Sequence, residues 1–346
     1  MSLHQLRSSL GRAKTTVRSL WLSLALAALS LAVIPTAQAG EILYAGDYNG
    51  QKVVRFDGVT GVPIPVNPFI VGGGESVAGF GNHILNEESG HIQQYNLTTG
   101  AFEKSFVPTG SGLGLAVALD AQSVYVTQSG SIDQYSLASG NYGALLHHAN
   151  TFNSWGVAIN PVSGKVYVNN GWSNGATGIQ VFNADLSGGT TLVGANDHGM
   201  TAGAGLVFSK DGSKFFAVNG GNHDPNNSFV NEYLADGTFV KTIQFGNIIP
   251  SNRPFTNAFG AAVNNAGNIF VSSQRDNAVL EINLSNNDAV SLFVTPSNGA
   301  SQSIKTIFFS GQTVLPTPEP STLFLAFVAA PIGLVAVYRR RKSAVC

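Results

Sequence analysis

The side chains best suited to chemistry are two neighbouring pairs, Asp197-His198 and His223-Asp224, each set among Asn, Gly and other turn-forming residues. An imidazole beside a carboxylate can move protons near neutral pH, so these loops would form an acid/base pair if they met. Trp172 and Arg275 stand in comparable loops and complete the candidate ligand-binding residues. Asp47, Asn49, Glu87, Glu88, Gln128, Asn153, Asn170, Asn222, Arg253 and Asp276 occupy equivalent positions. His147-His148 lies near a strand edge and reads as plain surface, and Gly72-Gly73-Gly74 precedes no helix, so it is no phosphate loop.

What must position these loops is a repeat. A strand ending in an aromatic or apolar residue recurs at Val53–Asp57, Ile92–Asn96, Ile132–Ser136, Ile179–Asn183, Val230–Tyr233 and Val279–Asn283. The spacing is roughly 40 to 50 residues, the period of one four-stranded propeller blade. A second strand precedes each copy: Ile42–Ala45, His83–Leu85, Val124–Val126, Val166–Val168, Phe215–Val218 and Ile269–Val271. Ahead of five of these comes a strand of small residues, as in Trp155-Gly156-Val157-Ala158 and Phe259-Gly260-Ala261-Ala262. The first repeat lacks that strand, and a lone candidate, Ile304–Phe308, stands at the far end. Pairing Ile304–Phe308 with Ile42–Ala45 would close a ring and remove a free sheet edge. The expected fold is therefore all-β, a six-bladed β-propeller over residues 40–313 with circular strand closure.

In such a ring the innermost strands converge on the axis. Their opening positions are Glu75, Gly114, Ser154, Ala204, Ala258 and Ser303, of which only Glu75 is ionisable. A hard cation needs about six to eight converging oxygens, so no axial metal and no cofactor are expected. The body is neutral: charged residues are 11% of the chain and the formal net charge is −1. That composition lacks the basic footprint of a nucleic-acid binder. The single cysteine, Cys346, is the last residue, which excludes a disulfide framework or a cysteine-based metal site in the body.

The two ends carry addresses. Arg7, Arg12, Lys14 and Arg18 lead into an apolar run from Leu20 to Ile34, and Ala37-Gln38-Ala39 before Gly40 offers a small-x-small cleavage site. Residues 1–39 therefore read as a secretory signal peptide, with Ala37, Ala39 and Gly40 at the cut. At the other end Pro318-Glu319-Pro320 precedes an apolar segment over about residues 321–338, followed by Arg339-Arg340-Arg341-Lys342. The apolar segment is at the short end of the about 17 to 25 residues that span a bilayer, and the cation block is the usual cytoplasmic stop.

The order Pro-Glu-Pro, apolar helix and arginine cluster over residues 314–346 resembles the PEP-CTERM sorting signal of Gram-negative and related bacteria, a segment also catalogued as an ice-binding-protein C-terminal motif. The resemblance implies recognition by a membrane-embedded exosortase, removal of the helix and tail, and a protein at the bacterial surface. It implies no ice binding. Along the body, the repeats resemble those of NHL and YncE-like propellers, which speaks to fold and little to function. The leading expectation is a non-catalytic, exported, surface-sorted propeller that binds polysaccharide or protein of the envelope or extracellular matrix. Its implied partners are the Sec machinery, signal peptidase and exosortase, with the C-terminal helix as an anchor. The alternative is a secreted hydrolase or lyase, lactonase-like, working at the loops of the channel mouth.

Overall fold

The computed structural model describes residues 40–65, 68–108, 114–171, 178–220, 228–295 and 303–310. The chain divides into two compact units, Met1–Gly40 and Glu41–Cys346, and Gly40, exposed, is the one described residue of the first. The cleavage positions Ala37 and Ala39, the sorting motif Pro318, Glu319 and Pro320, the segment 321–338 and the basic block Arg339, Arg340, Arg341 and Lys342 lie outside the described residues. Among the described residues, no helix is long and apolar enough to cross a membrane.

Strands form where apolar residues run between Gly, Asn and Asp turns. The first hairpin is β1 (Ile42–Asp47) and β2 (Lys52–Asp57), with a short third strand, β3 (Ile70–Val71). Next come β4 (Val77–Phe80), β5 (His83–Glu88), β6 (His91–Asn96) and β7 (Phe102–Phe106). The middle of the chain gives β8 (Gly114–Val117), β9 (Ser123–Ser136), β10 (Leu145–Ile159), β11 (Val166–Asn170), β12 (Gly178–Phe182) and β13 (Thr190–Val193). Then follow β14 (Gly203–Phe208), β15 (Lys214–Gly220), β16 (Ser228–Leu234) and β17 (Phe239–Gln244). The last are β18 (Ala258–Val263), β19 (Ile269–Ser273), β20 (Ala278–Asn283), β21 (Ala289–Val294) and β22 (Ile304–Phe309). Strands β11 and β19 are buried at every position, because each is covered on both faces by neighbouring sheets.

These strands build an all-β propeller. Its sheets have the orders β22-β1-β2-β3, β4-β5-β6-β7, β14-β15-β16-β17 and β18-β19-β20-β21, with one six-stranded sheet running from β8 to β13. The expected six separate blades are thus corrected to five hydrogen-bonded sheets. The reason is β10, one uninterrupted strand that pairs with β9 through Leu145–Asn153 and with β11 through Ser154–Ile159. Its register shifts between Asn150 and Asn153 and again between Ser154 and Gly156, so the two pairings use different halves of the strand. Strand β9 itself doubles back, since Leu137 N donates to Gln122 O at 2.8 Å across its two ends. Ala118, Tyr125 and Ile132 then pack against Val157, Val166, Val168, Phe182 and Leu186, which puts a buried cluster between the halves of this sheet.

The expected closure forms. Strand β22 pairs antiparallel with β1, Leu43 opposite Phe309 and Ala45 opposite Ile307, so the end of the described chain completes the first sheet. Tyr44, on the partner strand of the same sheet, stacks on Phe308 at 4.9 Å, and Phe270 of β19 meets Phe309 at 4.6 Å, which fastens the closing strand to its own sheet and to the last one. Strands β4, β8, β10, β14, β18 and β22 follow one another around the axis. Small residues are required there: a Cβ on Gly156 would lie 2.0 Å from Ala204 O, and one on Gly260 would lie 2.7 Å from Lys305 O.

Candidate binding site at the channel mouth

The chain must enter each innermost strand through a loop whose backbone N–H groups have no sheet partner, and a buried donor left alone costs about 1 to 3 kcal/mol. Side-chain acceptors supply the partner. Asp47 Oδ1 accepts from Ser303 N at 2.8 Å and Gly50 N at 3.0 Å, and Asn86 Oδ1 accepts from Gly74 N at 2.8 Å. Asn219 Oδ1 accepts from Thr201 N and Ala202 N, and Asp276 Oδ2 from Thr256 N and Thr256 Oγ1. Asn170 Oδ1 accepts from Ser154 Oγ at 3.0 Å. Asp47, Asn170 and Asp276, read from sequence as ligand-facing, are therefore buried braces of the scaffold.

A different group occupies the mouth. Lys305, the second residue of β22, is 2% exposed, and its Nζ donates to Glu75 Oε1 at 2.6 Å. Three rings surround the ammonium at distances that suit cation–π attraction: Tyr48 at 4.7 Å, Trp155 at 4.8 Å and Phe259 at 5.2 Å. Trp155 from β10 and Phe259 from β18 meet edge to face at 5.1 Å. Both also line a narrow void of about 60 Å³ among the innermost strands, with Gly156, Gly205 and Thr306, room for a handful of waters. Tyr48, 41% exposed, and the Glu75 side chain, 27% exposed, are the parts of the group that solvent reaches most readily.

Glu87, in β5, completes the cluster. Its Oε1 accepts from Gly90 N at 2.9 Å, while its buried Oε2 has no hydrogen-bond partner among the described residues. Burial first, then the Glu75 carboxyl, push Glu87 up from 4.5 to about 8. Burial pushes Lys305 down, opposed by the attraction of Glu75 and Glu87. The Lys305 ammonium is paired with the Glu75 carboxyl at 2.6 Å, and Glu87, holding its proton, adds no charge to that pair.

Sequence reasoning named Glu75 and Glu87 but missed Lys305, Tyr48, Trp155 and Phe259 as a group. A signal existed. Ile304–Phe308 is apolar except for Lys305 and Thr306, and a strand bound for the core cannot carry a cation without a partner. The one acidic residue opening an innermost strand was the obvious candidate.

The other candidates fall elsewhere. His198 Nδ1 lies 2.6 Å from Asp197 Oδ2, and its ring stacks on Phe239 at 3.4 Å. Tyr233 Oη donates to Asp197 Oδ2 at 3.2 Å, so this pair sits against the outer strands β16 and β17. His223, Asp224 and Trp172 lie outside the described residues. Arg275 is exposed on the turn between β19 and β20, and Arg253 Nη1 stands 3.6 Å from Asp276 Oδ1. His148 is more than plain surface: its Nδ1 lies 2.6 Å from Asp133 Oδ1, and that buried carboxylate also accepts from Gln128 Nε2 and Tyr135 Oη. Among the described residues no group of three or more His, Cys, Asp or Glu could hold a metal ion.

No family model matches the chain, and no curated protein matches it. Solved structures do. A chain from the crystal structure of a nidogen/laminin complex aligns at TM-score 0.58 with 16% identity, covering 78% of this chain and 98% of that one. A protein of unknown function from Bacteroides caccae aligns at 0.56 with 14% identity, covering 78% and 99%. Another, from Bacteroides thetaiotaomicron, aligns at 0.52 with 16% identity, covering 67% and 63%. At such identities the likeness shows the fold alone, a β-propeller.

Proposed function

We propose that this chain is an exported, surface-sorted β-propeller that binds envelope or extracellular polysaccharide at its channel mouth without transforming it. The observation that carries the reading is a part-exposed carboxylate, Glu75, paired with a buried lysine whose ammonium lies 4.7 Å from the ring of an exposed tyrosine and 4.8 Å from that of a half-buried tryptophan. Rings offer flat apolar faces to sugar C–H groups, and a carboxylate accepts from sugar hydroxyls. Under the same reading the six-stranded sheet acts as two blades, six around the axis, a count supported by the doubling back of β9 and the cluster between its halves.

Delivery rests on the two ends of the sequence: export by the Sec machinery and signal peptidase, then sorting through Pro318-Glu319-Pro320 by an exosortase. Polysaccharide pull-down with the purified body tests binding. Retention lost in Trp155→Ala supports the mouth, whereas retention unchanged in Trp155→Ala and Tyr48→Ala removes it. Capture of an envelope protein by the same face would keep the face and change the ligand. Replacing Pro318, Glu319 and Pro320 by alanine should leave the protein in the membrane fraction. Release unchanged by that substitution counts against sorting.

One observation favours a hydrolase or lyase instead, the proton that Glu87 retains near neutral pH. A glycosidic acid, however, needs a partner carboxylate on the far side of the bond it cleaves. The carboxyl beside Glu87, Glu75, is instead paired with Lys305 at 2.6 Å. Release of reducing ends or unsaturated products by wild type, abolished in Glu87→Gln, would establish the catalytic reading.

A further inference from the structure

We infer that the mouth selects uncharged saccharides, because the chain's own Lys305 already fills the position a cationic ligand would take and a part-exposed carboxylate faces any anionic one. The inference rests on the binding reading above and narrows it to a ligand class. Three aromatic rings and a carboxylate around one ammonium make a cation-recognition box, and here its occupant is built in: Lys305 Nζ lies 4.7 to 5.2 Å from the Tyr48, Trp155 and Phe259 rings and 2.6 Å from Glu75 Oε1. An amino sugar or a lysine-bearing peptide finds that box closed. Lys305 is itself too buried, with 3% of its side chain exposed, to reach out to a carboxylate or sulfate on a ligand. An anionic sugar would instead meet Glu75, the charged group of the cluster that solvent reaches.

What remains open is an acceptor beside the exposed face of Tyr48, and a neutral pyranose suits both, its hydroxyls donating to Glu75 and its C–H face lying on the ring. Because Glu87 keeps its proton near neutral pH, the cluster adds no net charge to draw in a charged chain. Specificity then arises from unpaired or repelled charge in the wrong ligand as much as from contacts with the right one.

The test is titration calorimetry of the body of the protein with three hexasaccharide series: neutral glucans, oligogalacturonates and glucosamine oligomers. Neutral glucans should bind wild type, with affinity falling at least tenfold in Glu75→Gln and in Tyr48→Ala, and the two charged series should give no heat. Lys305→Ala empties the box and should acquire binding of glucosamine oligomers; Lys305→Arg, which refills it, should not. Circular dichroism of each variant separates lost binding from lost fold. Binding of a charged series by wild type, lost in Trp155→Ala, overturns the inference and leaves the mouth as the binding face. Neutral binding unchanged in Glu75→Gln also overturns the inference. Binding of no series overturns both readings.

Discussion

Glu87 is the group through which pH should act most directly on the fold. Its side chain is 1% exposed, with Glu75 facing it and Lys305 beyond. Burial and the neighbouring carboxyl raise it from 4.5 to about 8, so the folded protein keeps a proton that the unfolded chain releases. Where the folded state binds more protons, stability falls as pH rises. The contribution is therefore full below about pH 4.5 and is lost as pH climbs toward about 8. The slope in that window is about 1.4 kcal/mol per pH unit, or about 5 kcal/mol across it. Glu87→Gln keeps the shape and a donor toward Glu75 yet cannot ionise. Urea unfolding at pH 5, 7 and 9 should show wild type losing stability more steeply than Glu87→Gln, with the gap opening by several kcal/mol. Glu41 is raised by burial and lies outside the cluster, so its contribution cancels between the two curves. Parallel curves, or a wild type that gains on the variant between pH 5 and 9, would refute the buried proton.

Other substitutions probe the scaffold. Phe309→Ala removes a ring that is 2% exposed and packs on Phe270, and should cost about 3 to 5 kcal/mol in urea unfolding. Gly156→Val places a branched side chain where even a Cβ meets Ala204 O at 2.0 Å, and should abolish soluble expression or cost more than about 3 kcal/mol. Asp276→Ala strips the acceptor from Thr256 N and Thr256 Oγ1 and should cost about 2 to 4 kcal/mol, against under about 1 kcal/mol for the exposed Arg275→Ala. Ending the chain before Ile304 leaves the edge of β1 unpaired and should yield aggregates by light scattering.

The architecture was legible because crowding leaves a compositional mark. Innermost strands that face one another across a narrow axis can carry only small residues at their closest points, and Gly156 and Gly260 announce this in the sequence as clearly as in space. The closing strand was legible from its absence at the start and its presence at the end. The continuity of β10 was not, because Asn150–Ser154 reads as a polar loop; only the backbone shows one strand whose two halves find partners in succession. The candidate site was legible in its acids alone. Glu75 and Lys305 are 230 residues apart, and nothing local in either says that ring closure brings them to 2.6 Å.

That separation also explains why polar loop residues were a poor guide to the site. A propeller repeatedly needs acceptors for the N–H groups that lead into its innermost strands, and Asp, Asn and Ser at the loop ends are spent on that task in sheet after sheet. A loop rich in Asn and Asp is what this architecture requires whether or not a ligand exists. The informative residues are the ones the scaffold does not need: a lysine in a mostly apolar strand, a glutamate at a position where the other innermost strands carry Ala, Gly or Ser, and a tyrosine left exposed beside them. Burying Lys305 costs desolvation that a methionine of similar length would avoid. Lys305→Met should therefore leave the unfolding midpoint at pH 7 nearly unchanged only if Glu75→Gln accompanies it. The single substitution, which leaves Glu75 beside the aromatic rings without its cation, should be less stable than the double. A double variant no more stable than the single would mean that Lys305 and Glu75 do not act as a pair, and the mouth would lose the charge balance on which its reading depends.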